Sequence, residues 1–156
     1  MRSVIKKTAL LGIAVFLLMQ LYQPARNIDY GPVTPLHFSK TFSAPAKVQT
    51  ILQNSCFDCH SHSTNYPWYS YVQPVRLFLD SHISEGKENL NFSEYGTYSK
   101  RKQRSKLDRM IKQIQSDEMP LDSYTIIHKN ARLTKESKAV LLNWMEKKSD
   151  SISANN

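Results

Sequence analysis

Residues 54–70 read NSCFDCHSHSTNYPWYS, and they hold both cysteines of the 156-residue chain. Cys56 and Cys59 stand three apart, and His60 follows directly. Four chemistries use a CxxC pair. A structural zinc site needs four ligands, commonly from a second such pair or from two suitably spaced histidines. No second pair is present, and the spacing of His62 and His82 fits no common zinc pattern. A thioredoxin-like redox pair opens a helix after a strand, whereas this pair follows a helical pattern. A disulfide here would close a very short loop and stabilise little.

The fourth chemistry is covalent haem, for which CxxCH is the attachment signature. Two thiols add to the two vinyl groups along one porphyrin edge. The next residue then lies beneath the ring, where its imidazole can bind iron. The expectation is one covalently bound haem c, held by Cys56 and Cys59, with His60 as an axial ligand. Two covalent links suit a small domain whose core is too thin to retain the cofactor by packing alone.

The other face of the iron has several candidates: Met110, Met119, Met145, His62, His82 and His128. Met110 and Met145 fall on apolar helical faces and read as core. His62 is too close to His60 to cross to the opposite face. Met119 lies in SDEMPLDSY, after a helix end and beside Pro120. A thioether in an extended loop stiffened by proline can be held against a ring. His82, near the end of a helix, is the bis-histidine alternative.

The flanking sequence is helical throughout. Ser43 is a candidate N-cap with Pro45 in the first turn, and Val48, Ile51 and Leu52 recur at helical spacing. Further helices are expected over 72–83, over 99–115 and from Thr134 onward. The third carries Leu107, Met110, Ile111 and Ile114 on one face, and the last carries Val140, Leu141, Trp144 and Met145. The third ends near SDEMP, since the residue before Pro120 is biased away from helix. The stretch GKENLNFSEYG reads as a loop. Gly is scarce and Val and Ile do not alternate, which disfavours a β-sandwich. The expected fold is all-α, with four to five helices around the haem.

At the N-terminus, Arg2, Lys6 and Lys7 precede an apolar run over about 8–22. That is the layout of a secretory signal, and the lack of a clear small-residue cleavage site favours an uncleaved signal-anchor. The expected organisation is a signal-anchor or signal peptide over 1–23, a proline-containing tether over 24–42, the haem domain over 43–150 and a flexible tail over 151–156. This predicts an N-terminal hydrophobic anchor helix, with the domain held at the inner membrane, in the periplasm or otherwise outside the cytoplasm.

The formal charge is +8. Much of it lies on the third helix, at Lys100, Arg101, Lys102, Arg104, Lys106, Arg109 and Lys112. This is either a solvated face or a docking surface for an acidic partner or anionic lipid. Nucleic acid is not expected, as no base-reading motif is present.

The run over about 43–148 resembles a class I cytochrome c domain: a helix leading into CFDCH, a later Met-Pro loop and a closing helix, LTKESKAVLLNWMEKK. More narrowly, CFDCHSHSTNYPWYS, EGKENLNFSEY and EMPLDSY resemble a haem-binding-domain family of bacterial, membrane-anchored c-type haem proteins. The resemblance implies haem attachment at Cys56 and Cys59, and axial ligation by His60 and Met119. An aromatic insert over about 65–95 departs from simple cytochromes. Trp68 and Tyr69 within it are candidates to line the haem edge, and Tyr124 could serve the same role behind the Met119 loop.

Two functions compete on this reading. A six-coordinate His/Met haem leaves no substrate site and suits an electron carrier, not an enzyme, that meets redox partner proteins. A haem sensor or peroxidase-like enzyme needs an open or labile sixth position. No defined distal acid/base pair is legible in the sequence.

Overall fold

Helical periodicity governs most of the ordered chain. The computed structural model describes residues 1–154, and among these there is helix and turn but no strand. In chain order the α-helices are α1 (Arg2–Met19), α2 (Phe38–Thr41), α3 (Ala46–Ser55), α4 (Phe57–His60), α5 (Val75–Asn89), α6 (Lys100–Gln115), α7 (Asp122–Ile127) and α8 (Lys135–Ala154). Short 3-10 turns cover Trp68–Tyr71, Phe92–Thr97 and Lys129–Ala131. The all-α expectation agrees with this architecture.

The N-terminal anchor helix and the inner-membrane location built on it must be corrected. No helix among the described residues is long and apolar enough to cross a membrane. α1 has 18 residues, but Arg2, Lys6 and Lys7 occupy its first two turns, and the helix stops at Met19. The apolar part from Thr8 onward rises roughly 18 Å at 1.5 Å per residue, well short of a hydrocarbon core of about 30 Å. None of its residues is buried.

The core forms where the apolar faces of α3, α6 and α8 meet. Leu107, Met110 and Ile114 of α6 are buried at three- and four-residue spacing, and Leu141, Met145 and Ile152 of α8 face them. α8 is capped as its sequence suggests: Thr134 Oγ1 accepts the Ser137 N–H at 3.1 Å. It continues through Ala154 with Ile152 buried, where a tail from 151 was expected; residues 155–156 lie outside the described residues. α6 likewise starts behind Ser99, whose hydroxyl accepts the Lys102 N–H. Ser43 does not cap α3. It adopts φ 48°, and Pro45 takes the N-cap position.

The segment read as a tether is part of the fold. Phe38 is fully buried and meets Tyr95 edge-to-face at 4.7 Å, Phe92 at 4.9 Å and Trp144 at 5.7 Å. Gly96 donates its N–H to Leu36 O at 2.6 Å, and a Cβ on Gly96 would lie 2.8 Å from Leu36 Cα. Glycine alone allows that approach. Further upstream, Arg76 is buried, donates to Asp80 Oδ2 at 2.6 Å and Pro24 O at 3.0 Å, and lies over the Tyr66 ring. Asn27 donates to Ser61 O and Thr64 Oγ1. The aromatic insert thus clasps residues 24–27 against the domain.

Candidate haem site

α3 breaks at Cys56, whose φ of −133° departs from helix, and the chain re-enters one helical turn as α4. The motif therefore sits at a corner, with Cys56, Cys59 and His60 all half-buried. Asp58, between the cysteines, fixes the segment that follows. Its carboxylate accepts the Asn65 N–H at 2.9 Å, and its carbonyl accepts the Thr64 hydroxyl at 2.5 Å.

α5 backs the motif at close range. A Cβ on Gly86 would stand 2.7 Å from Cys59 O and 3.3 Å from Cys59 C. This contact brings the last carbonyls of α5 to His60. Nδ1 of His60 lies 2.8 Å from Gly86 O and 3.1 Å from Leu90 O. Both neighbours only accept, so Nδ1 carries the proton and Nε2 keeps its lone pair. Burial lowers the His60 pKa, which keeps the imidazole neutral and able to donate to a metal. Anchoring of the distal ring nitrogen in this way fixes tautomer and orientation in metal-binding histidines.

Both thiols are held protonated. Burial, then the neighbouring Cys59, pushes Cys56 up to about 12; burial, then Asp58, pushes Cys59 up to about 11. No disulfide joins them. Among the described residues no cluster of three or more His, Cys, Asp or Glu side chains could hold a bare metal ion. Two thiols and an imidazole on one cleft that form no metal cluster of their own suit a larger group carrying its own metal.

The space for such a group is a cleft of about 550 Å³. Cys56, Cys59 and His60 line it, and so does Met119, brought in from the loop between α6 and α7. Its apolar walls include Leu90, Phe92, Met110, Ile114, Leu121 and Leu133. The Met119 loop is fixed at both ends. Asp117 turns the chain out of α6 at φ 59°, the left-handed conformation common after helix ends, and the N–H groups of Glu118 and Met119 return to Gln113 O. Lys138 of α8 donates to Asp117 Oδ1 at 2.6 Å. Past Pro120, Tyr124 of α7 donates to Asp58 Oδ2 at 2.6 Å.

The remaining candidates separate by position. His82 lines the same cleft, one turn before Gly86 on the helix that backs His60, with Nδ1 2.9 Å from Phe78 O. Met110 lines the cleft floor and is otherwise packed in the core. Met145 is fully buried away from the cleft. His62 is taken by Asn91 and Glu94, and His128 by the Tyr69 hydroxyl at 2.5 Å; neither lines the cleft. Nor do Trp68 and Tyr69. Trp68 is 80% exposed, and Tyr69 is turned toward His128. Tyr124 lines the cleft instead, stacked on His128 at 4.2 Å. A larger, polar recess of about 1120 Å³ lies behind the motif and contains neither cysteine nor His60.

Sequence reasoning missed Gly86 and Leu90, whose contribution is a carbonyl. It also missed Asp58, whose place inside CxxC gave no hint of a partner 66 residues away.

Comparison with known families agrees with the geometry: a family model described as a haem-binding domain matches residues 14–147. Neither curated proteins nor solved structures gave a significant match.

Proposed function

This chain belongs to the haem-binding domain family, and we propose that it is a c-type haem protein working as an electron carrier, with one haem attached through Cys56 and Cys59. The observation that carries the reading is the anchored His60. Its Nδ1 is committed to Gly86 and Leu90 carbonyls, and its free Nε2 belongs to a cleft shared with both cysteines and Met119. In this reading His60 is the proximal iron ligand and Met119 the sixth. His82 is the less favoured sixth ligand, because it sits on α5, the helix already behind His60.

A bound haem supplies one-electron redox chemistry at its iron. The chain's own residues hold and tune it. Leu90, Phe92, Met110 and Leu133 exclude water from the cleft walls. The carbonyls of Gly86 and Leu90 raise the basicity of the His60 imidazole through its Nδ1 proton. A thioether on the other face would disfavour ferric iron relative to a second imidazole and would leave no position for substrate, which fits a carrier rather than an enzyme. The exposed Lys100, Arg101 and Arg104 of α6 offer a positive face to an acidic redox partner.

The deciding experiment has two parts. Denaturing electrophoresis with haem staining should show haem retained by the wild type and lost from Cys56→Ala/Cys59→Ala. Carbon monoxide added to the ferrous protein should leave its spectrum nearly unchanged. Haem extractable with acid would remove the covalent reading. Immediate carbon monoxide binding would replace the carrier with a sensor or peroxidase-like protein whose sixth position is open.

A further inference from the structure

The positive charge of α6 is not spread evenly around the helix with respect to the cleft. Lys106, Arg109 and Lys112 follow at three-residue intervals and all line it, whereas Lys100, Arg101 and Arg104 do not. Glu85 is the one carboxylate among the cleft-lining residues described. None of the three cations has a carboxylate within ion-pairing distance among the described residues. Lys106 donates only to the Asn89 carbonyl. Burial, then the charges of Arg109 and Lys102, lowers its pKa. The cleft thus carries a row of cations along one rim, half-buried at Lys106 and exposed at Arg109 and Lys112, with no carboxylate partner among the described residues.

We propose that Lys106 and Arg109, with Lys112 at the margin, form the carboxylate-binding edge of the haem site and pair with the two haem propionates. The proposal rests on the haem reading given above. A haem is an apolar plate with vinyl groups toward one edge and two carboxylates at another. With the vinyl edge taken by Cys56 and Cys59, the propionates are the groups left to meet a charged rim. Arg109 can take one in the bidentate fork that guanidinium offers a carboxylate. Lys106 supplies a point charge at the neighbouring step of the same helix.

The test uses full-length holoprotein and reads the reduction potential, with haem staining and helical circular dichroism as checks. Arg109→Gln and Lys106→Gln should each lower the potential, since a cation near the haem disfavours ferric iron. The expected size is about a tenfold shift in the ferric–ferrous equilibrium, which is 59 mV for one electron. Arg109→Lys should restore most of it. Lys100→Gln, on the same helix but away from the cleft, should shift it far less. Equal shifts in Arg109→Gln and Lys100→Gln would overturn the pairing while leaving haem attachment intact. A wild type that stains for no haem would overturn both readings.

Discussion

Tyr124 reaches back 66 residues to hydrogen-bond the carboxylate of Asp58, the residue directly before Cys59. Burial, and then that carboxylate, pushes the Tyr124 phenol well above its ordinary range, so it acts as a firm donor. The bond ties α7, which follows the Met119 loop, to the cysteine motif. The two walls of the cleft are therefore joined behind the site as well as through the core.

Removing that donor is a clean probe of the link. A hydrogen bond to a charged group contributes about 1.5–3 kcal/mol, and partial exposure of both partners argues for the lower end. Tyr124→Phe should lower unfolding free energy by about 1–2 kcal/mol, measured by urea titration. It should also speed proteolytic cleavage of the 116–121 loop. Unchanged cleavage would mean that Lys138 and the Gln113 carbonyl hold the loop without Tyr124.

Phe38 tests where the domain begins. If residues 24–42 were a tether, truncating this side chain would change little. It is instead fully buried among Phe92, Tyr95 and Trp144. Truncation of a buried phenylalanine costs about 3–5 kcal/mol, and Phe38→Ala should lose that much in chemical denaturation. A loss below about 1 kcal/mol would return the segment to the status of a linker.

These two residues also mark what the sequence could and could not reveal. Cys56, Cys59, His60 and Met119 could be singled out because their residue types and spacing suit a group that carries a metal, and all four line one cleft. The faces of α6 and α8 were legible because burial imposes a 3.6-residue period. Phe38 was not, because a single-turn helix is too short to display a period and the nearby Pro32 and Pro35 suggest a linker. α1 shows the opposite error: an apolar run behind basic residues resembles an anchor, yet its charges and early stop leave too short an apolar length. Trp68 and Tyr69 drew attention by composition, but composition carries no direction, and neither lines the cleft.

The proposed sixth ligand can be separated from the packing methionine. Met119 and Met110 both line the cleft, one from a loop and one from the interior of α6. Met119→Leu should abolish the weak far-red band of a sulfur-ligated ferric haem and admit carbon monoxide to the ferrous protein. Met110→Leu conserves volume and should leave both signals alone, with a stability change under about 1.5 kcal/mol. The reverse pattern would move the ligand to α6. Loss in neither variant would direct attention to His82.

Gly86 should be hard to replace, although it lies within α5, in its last turn, where alanine is ordinarily preferred by up to about 1 kcal/mol. Its φ is not positive, so conformational freedom is not the reason. The reason is approach: a new Cβ would meet the backbone of Cys59 at 2.7 Å and 3.3 Å. Neither atom is a flexible side-chain end, so α5 must back away from α4. That movement lengthens the His60 Nδ1 bond to Gly86 O, now 2.8 Å. Gly86→Ala should therefore lower stability despite its better helix propensity. By making the imidazole a poorer donor, it should also raise the haem reduction potential. Gly12→Ala in α1 is the matched control, since nothing lies within 4 Å of its added methyl; that change should be neutral or mildly stabilising. Unfolding free energies of the two variants, from urea titration, should move in opposite directions or differ by well over about 1 kcal/mol. If Gly86→Ala proves as stable as the parent with an unchanged potential, α5 is not what sets the pose of His60.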